Sequence, residues 1–207
     1  MIEHWNTKFK NKKYIWGVEG SLSAELVLKE LRKIEDKNNL LDIACGYGRD
    51  VNFYKTNGID AKGIDASEEA VRLGIEMWPD INIMCGDVLD EDVYTQKNDV
   101  ITCNFFIHLL GTEERQKLIK NIYKNLEPNG VAFFTVSTDQ DIDYKTGEVV
   151  GDHLVKNDRG VTKFFYNRDL VNEEFRLFNT IKIEEFKEKH THDFEHEHSN
   201  FLIICKK

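Results

Sequence analysis

Three aspartates stand in order at the ends of apolar runs: Asp42 in LLDIACGYGRD (residues 40–50), Asp65 in KGIDAS and Asp87 in CGDVL. The first run leads directly into Gly46-Tyr47-Gly48, and a helical pattern begins at Arg49. Glycines at such a turn let a ligand reach backbone that a Cβ would cover. The dinucleotide fingerprint needs a third glycine three residues after the second, and here that position is Val51. Asp42, four residues before Gly46, would also repel a pyrophosphate. A ligand carrying an ammonium and a sulfonium suits the acidic turn better. Asp65, 17 residues beyond Gly48, can accept hydrogen bonds from both hydroxyls of a ribose, and Asp87 can reach an adenine amino group. Singly, each aspartate is explained equally well as a turn or helix cap. Their order at successive strand ends is not.

A second set is imidazole. Four of the seven histidines, His190, His192, His196 and His198, fall within nine residues. A hairpin with Asp193-Phe194-Glu195 as its loop would set His192 opposite His196 and His190 opposite His198, all on one face. Three readings stand: a solvated polar hairpin, substrate binding or proton removal by one imidazole, and a divalent metal site. His108, four residues after Asn104, is a further candidate base or a packed core histidine. Phe9, Tyr14 and Trp16 precede the first expected helix and are candidates for a lid, with aromatic faces able to attract a sulfonium.

These residues need a scaffold that brings strand ends to one edge. From Leu40 onward, short β-type runs alternate with helical patterns, the signature of a parallel sheet covered on both faces. Helices are expected at about 23–34, from 49 to Asn57-Gly58, after Ser67, from about Thr112 to Leu126, and at about 167–178. Strands are expected at 40–45, 61–65, 81–85, 99–103, 131–137, from Thr180 and at 201–205, with two short ones inside 138–165. Ser67 can cap its helix, and Glu68 and Glu69 suit the positive end of that dipole.

The set DIACGYGRD, GIDAS, CGDVL, NDVITCNFFIHLL and LEPNGVAFFTV resembles the ordered motifs of the class I, Rossmann-like S-adenosylmethionine-dependent methyltransferases over at least residues 38–137. YIWGVEGS and HEHSNFLIICKK are similar to segments of the tellurite-resistance and thiopurine methyltransferase group. The resemblance implies an α/β, three-layer, doubly wound and mostly parallel seven-stranded sheet, with the last strand antiparallel and inserted beside the sixth. It implies one domain: an arm and helix (1–36), a cofactor half (38–137) and a substrate-side half (138–207). S-adenosyl-L-methionine would be held by Trp16, Asp42, Ala44, Gly46, Gly48, Arg49, Asp65, Ala66, Asp87, Val88 and Asn104, and released as S-adenosyl-L-homocysteine. Arg49 is accounted for equally by a helix-surface ion pair. Tyr14, Phe105 and Tyr166 would face substrate, and His108, His196 or His198 would take a proton.

Composition narrows the acceptor. A net charge of −9 disfavours nucleic acid. Enzymes that methylate base amino groups carry Asn/Asp-Pro-Pro-aromatic at the fourth strand, whereas this chain has Asn104-Phe105-Phe106-Ile107. No apolar run is long enough for a bilayer, and the opening MIEHWNTKFKNKK holds no secretory segment, so the expected address is cytoplasmic. The four cysteines form no CxxC pair and read as buried thiols, with no metal expected. A small-molecule acceptor and a monomer or homodimer are expected. The rivals are a non-catalytic S-adenosylmethionine-binding regulatory module and a nicotinamide dehydrogenase.

Overall fold

The protein, seen in a computed structural model, is described over residues 2–35, 37–190 and 196–207. Its elements run α1 (Ile2–Lys12), α2 (Leu22–Leu31), β1 (Asn39–Ile43), α3 (Arg49–Thr56), β2 (Asp60–Asp65), α4 (Glu68–Met77), β3 (Ile83–Cys85) and β4 (Asn98–Asn104). They continue with α5 (Thr112–Asn125), β5 (Leu126–Ser137), α6 (Ile142–Thr146), β6 (Glu148–Gly151), β7 (Leu154–Lys156), β8 (Thr162–Phe164), α7 (Arg168–Glu174), β9 (Thr180–His190) and β10 (His196–Lys206).

Seven strands form one sheet in the order β3-β2-β1-β4-β5-β10-β9. Strands β1 to β5 pair in parallel, while β10 runs antiparallel to both β5 and β9. This is the expected doubly wound sheet with its last strand reversed and inserted. Alternation along the strands divides the core in two. Leu41, Ile43, Ile101, Phe134 and Ile203 pack with residues of α5 and α7, and Leu40, Val100, Phe133 and Leu202 pack with residues of α2 and α3. Helices on both faces explain why the inner strands read as continuous apolar runs.

The α2/α3 face changes character toward the carboxyl ends of the parallel strands. Leu40 is followed at two-residue spacing by Asp42, Val100 by Thr102 and Asn104, and Phe133 by Thr135 and Ser137. On β10 the same parity runs back from Leu202 to Asn200 and His198. Register sets Asp42 opposite Thr102, Asn104 opposite Thr135 and Asn200 opposite Ser137. One sheet face is thus an apolar core at one end and a polar floor at the other, where open α/β sheets bind ligands.

Local chemistry fixes the helix ends. Ser21 Oγ accepts the Ala24 N–H at 3.0 Å, and Ser67 Oγ accepts the Ala70 N–H at 3.1 Å. Gly58, just past α3, takes φ 84°, the left-handed stop expected of Asn-Gly.

Four features differ from the sequence reading. The N-terminal arm contains a helix, α1, whose Trp5 and Phe9 at i, i+4 pack together on one side. Strand β5 starts at Leu126 rather than at residue 131, with a register shift on β4 between Asn98 and Val100. The stretch 138–165 holds α6 and three strands, which make a separate antiparallel sheet, β6-β7-β8. The β9–β10 hairpin pairs His196 with His190 and His198 with Glu188, a register two residues from the expected one. His192 lies outside the described residues. Among the described residues no helix is long and apolar enough to cross a membrane.

Candidate active site

The turn after β1 is wound by left-handed backbone at Ala44 (φ 54°), Gly46 (φ 59°) and Gly48 (φ 78°). At Ala44 such a conformation is strained, costing on the order of 1–3 kcal/mol, and it sits where the chain meets a ligand cavity. The two glycines do different jobs. Gly46 lies on the cavity wall, and a Cβ there would meet only the Phe9 and Trp16 rings at 3.6 Å. Gly48 lies off that wall: its Cβ would come within 2.5 Å of Ile81 Cδ1. Gly48, expected against the cofactor, permits a turn and a close helix–strand contact.

Asp65 ties this turn to the next strand. Its Oδ2 accepts the Gly46 N–H at 2.7 Å and its Oδ1 accepts the Ser67 N–H at 2.8 Å. Burial raises its carboxyl above the ordinary value, against those two bonds. Each oxygen keeps a second lone-pair direction for a ligand hydroxyl. Asp87 is held likewise, its Oδ1 accepting the Leu89 N–H at 2.9 Å, and Ala66 and Val88 line the wall beside these two. Asp42 is buried, with Thr102 Oγ1 donating to its Oδ1 at 2.6 Å. Burial first, and then the neighbouring Asp50, push its carboxyl well above the usual range.

An aromatic lid crosses the turn. Trp16 stacks on Tyr47 with centroids 6.2 Å apart, and Phe9 and Trp5 pack against Trp16. The lid is bonded down: Tyr47 O–H donates to the Gly17 carbonyl at 2.6 Å, and Arg49 Nη1 donates to the Trp16 carbonyl at 2.6 Å. Arg49 Nε also meets Asp50 Oδ1 at 3.2 Å, and Asp50 in turn accepts from Ser21. Arg49 is thus both a cavity residue and a structural tie. Tyr14 belongs to the packing instead. Its ring abuts Tyr47 and its hydroxyl donates to the Leu73 carbonyl at 3.3 Å, off the cavity wall, which corrects its expected substrate contact.

At the other end of the cavity stand Asn104, Phe105, His108, Ser137, His198 and Asn200. Phe105 follows β4 with φ 53°, a second strained residue at a strand end. Asn104 Oδ1 accepts from Thr135 Oγ1 at 3.0 Å, while its Nδ2 and both amide atoms of Asn200 are buried without a protein partner. His108 Nδ1 accepts the Ser137 N–H at 3.1 Å, so its proton sits on Nε2. Burial, with Lys163 adding to it, holds that imidazole down to about 3. A neutral ring whose acceptor nitrogen is already engaged is a hydrogen-bond donor, not a base.

His198 is placed differently. Its Nδ1 lies 3.0 Å and 3.2 Å from the two oxygens of Asp141, which is fully buried and also accepts the Ser199 and Asp143 N–H groups at 2.8 Å. Asp141 was not anticipated; nothing in the acidic stretch 139–143 marks it out. Asp141, Asp143 and His198 bring ligand atoms within 4.8 Å of one another. Lys163 Nζ sits 2.9 Å from Asp143 Oδ2 and balances one of the two carboxylates. Tyr166 is a core residue, correcting its expected place in the substrate wall. Its backbone bridges to Thr138, and its ring packs on Phe164 at 4.9 Å. Of His196 only the strand position is described.

The cavity has a volume of about 1010 Å³, at the upper end for a small-molecule site. A methyltransferase-domain family model matches residues 18–203. Among curated relatives, the chain is 28% identical over 119 residues to the dTDP-4-amino-2,3,4,6-tetradeoxy-D-glucose N,N-dimethyltransferase of Saccharopolyspora spinosa, covering 56% of this chain and 46% of that protein. The chain spans about half the length of the curated relatives it matches. Among solved structures, one from work on the conversion of a disulfide bond into a thioacetal group during echinomycin biosynthesis superimposes with TM-score 0.79 at 15% identity, covering 100% of this chain and 93% of that one. TehB from Haemophilus influenzae gives TM-score 0.67 at 13% identity, over 98% of this chain and 67% of its own. The family match runs from just after the lid into the last strand, and the chain belongs to the class I S-adenosylmethionine-dependent methyltransferases.

Proposed function

We propose that the protein methylates a protic group, an amine or a hydroxyl, on a small-molecule acceptor, with His198 as the base. The observation that carries this is a single cavity joining strand-end carboxylates to an imidazole held by buried Asp141. The residues fit S-adenosylmethionine. Asp42 and Asp50 make this end of the cavity acidic, with Arg49 against Asp50, and a ligand ammonium and sulfonium would suit it. Asp65 would hold the ribose hydroxyls, and Asp87 and Val88 would flank adenine. Ala44 and Gly46 would line the methionine portion, with Trp16 covering it. When bound, the cofactor supplies an electrophilic methyl group and leaves as S-adenosylhomocysteine.

The chain's own work is alignment, exclusion of water and removal of one proton. The Trp16–Phe9–Trp5 lid closes the turn from solvent. Asn104 and Asn200 offer unused amide groups to orient the acceptor. Asp141 fixes the His198 tautomer, leaving Nε2 as the basic atom, and its carboxylate stabilises the imidazolium that forms. Two similar proteins support a small acceptor: one is named for an amino-sugar dimethylation and the other comes from echinomycin biosynthesis.

Calorimetric titration with S-adenosylmethionine tests the first half, with wild type beside Asp65→Ala and NADH as the control ligand. Micromolar binding is expected, weakened about 100-fold or more by the substitution, since two charge-assisted bonds are lost and two N–H groups are orphaned. Binding indifferent to Asp65 sinks the reading. S-adenosylhomocysteine release across amine, hydroxyl and thiol panels tests the second half.

A further inference from the structure

Around the acceptor end, three cations from distant parts of the chain converge: Lys8 of α1, Arg159 in the turn between β7 and β8, and Lys163 of β8. They do so in a protein of net charge −9. The turn is built to present Arg159, because Asn157 Oδ1 accepts the backbone N–H groups of Arg159 and Val161 at 3.2 Å and 3.0 Å. Asn157 Nδ2 also donates to Asp143 Oδ2 at 3.1 Å, the oxygen that pairs with Lys163. β8 packs against the turn at Ile107–Leu109, which sets Lys163 over the acceptor end, while Lys8 comes to the same cavity from the lid, over the Trp5 ring.

Among the described residues, two of the three cations have no carboxylate partner. Lys8 Nζ lies 4.4 Å from the centre of the Trp5 ring, and among the described residues no carboxylate comes within 4.0 Å of Lys8 or Arg159. Burial first, and then Lys12, Arg159 and Lys163, hold the Lys8 ammonium below its ordinary value, so their repulsion is unrelieved. Glu3 and Glu188 line the wider mouth but do not close that gap. The floor below offers Asn200, 1% exposed, with both amide atoms unpartnered.

We infer that the acceptor is itself anionic, and that Lys8, Arg159 and Lys163 bind its multivalent oxyanion, a phosphate or carboxylate group, while its nucleophile lies toward His198. With Lys163 paired to Asp143, Lys8 and Arg159 are the two cations that meet no carboxylate among the described residues, which suits an acceptor carrying about two negative charges. Because Lys8 rides on the lid helix, the bound anion also clasps α1 over the cavity. The identification of this anion as the methyl acceptor's rests on the methyl-transfer reading above.

The test uses the whole chain and two probes, inorganic pyrophosphate and citrate, titrated by calorimetry at low ionic strength with and without saturating S-adenosylhomocysteine. Arg159→Gln, on an exposed turn, and Lys8→Gln are the variants, with exposed Lys124→Gln as the control. Saturable one-to-one binding of at least one probe is expected. It should weaken about tenfold or more in each variant, remain unchanged in the control and fall with added salt. S-adenosylhomocysteine affinity should stay within about twofold throughout. Preference for pyrophosphate over citrate identifies a phosphate-bearing acceptor, and the reverse a polycarboxylate. No saturable binding of either probe, or binding that Arg159→Gln and Lys8→Gln leave untouched, overturns the inference even where S-adenosylhomocysteine binds. Failure of S-adenosylhomocysteine to bind, with the anion dependence intact, instead overturns the methyl-transfer reading and leaves an anion site.

Discussion

At the cofactor end of the cavity, Asp65 and Asp87 are anchored by backbone N–H groups near the strand ends they terminate, and Asp42 by a hydroxyl on the adjoining strand. At the acceptor end, three cations and the His198 imidazole, with the carboxylates of Asp141 and Asp143 beside them, are brought together from α1, the stretch 138–165 and β10. The first arrangement is rigid, because short side chains on sheet edges have few rotamers to lose and are already bonded. The second depends on long side chains, two of which spend their charge on no carboxylate among the described residues. A site of fixed acidic groups suits a constant ligand. Lysine and arginine heads on a lid and a turn suit a ligand recognised by charge and adjusted to on arrival. The contrast explains how a chain of net charge −9 can take both a cationic cofactor and an anionic acceptor in one cavity.

The sharpest way to break that division is at His198, where the two ends meet. Replacing His198 with Ala should lower turnover on a protic acceptor by about 10²–10⁴-fold, the usual worth of a positioned base. S-adenosylmethionine affinity should stay within about twofold by calorimetry. Asp141→Asn should cost turnover less, because the imidazole remains but its tautomer is no longer enforced. His198→Ala should remove the acid limb of the rate profile, whereas Asp141→Asn, which keeps the imidazole, should retain one. An intact acid limb in His198→Ala would move the proton to another group and dissolve the pairing with Asp141.

The cofactor end was legible in the sequence because its logic is local. The aspartates recur at fixed places relative to apolar runs, and Gly46 sits where the strand turns. Even there, spacing could not separate Gly46, which lines the cavity, from Gly48, which faces Ile81. The acceptor end is written in contacts across the chain. Asp141 meets His198 across 57 positions, and Lys8 shares the cavity with Arg159 from the other half of the chain. The histidine hairpin shows a subtler limit. Alternation fixes which face a strand residue takes, but a slip of two residues preserves every face, so the pattern cannot choose between pairing His196 with His190 or with His192. Tyr166, beside a polar stretch, reads as a mouth residue until its backbone bridge to Thr138 draws the ring into the core.

A smaller effect separates the ligand-waiting carboxylate from a merely structural one. Burial and Asp50 raise the Asp42 carboxyl well above 3.8, so the fold favours its protonated form. Its contribution to stability is fully present below the unfolded value and is lost as pH rises through the raised folded value. At pH 7–8 the ligand-free protein therefore bears the cost of either burying this charge or keeping its proton, and Asp42→Asn removes that cost. The variant should be more stable than wild type there by about 1 kcal/mol, or roughly 2–4 °C in a domain of this size, with the gap closing toward pH 4. The same substitution should weaken S-adenosylmethionine binding about tenfold, since the ligand ammonium loses its partner. Thermal unfolding of both proteins across that pH range, with and without ligand, reads both signs. Equal stability at pH 8 would mean that Arg49 and Thr102 already compensate the charge.

The smallest expected effect is at Tyr14, and it tests where the lid ends and the binding site begins. Its ring abuts Tyr47 and its hydroxyl makes one long bond, 3.3 Å, to the Leu73 carbonyl on α4. Tyr14→Phe keeps the ring contact and removes only that bond, which should lower stability by about 0.5–1 kcal/mol. Turnover and KM for any acceptor should not change, because the ring stands off the cavity wall. Trp16, two residues on, lies on that wall and stacks on the same tyrosine, so Trp16→Leu should raise KM for S-adenosylmethionine several-fold. The pair is informative because both residues come from one aromatic segment that sequence alone treats as a unit. A Tyr14→Phe variant with altered KM would extend the binding surface under the lid and make the hydroxyl part of how the lid closes.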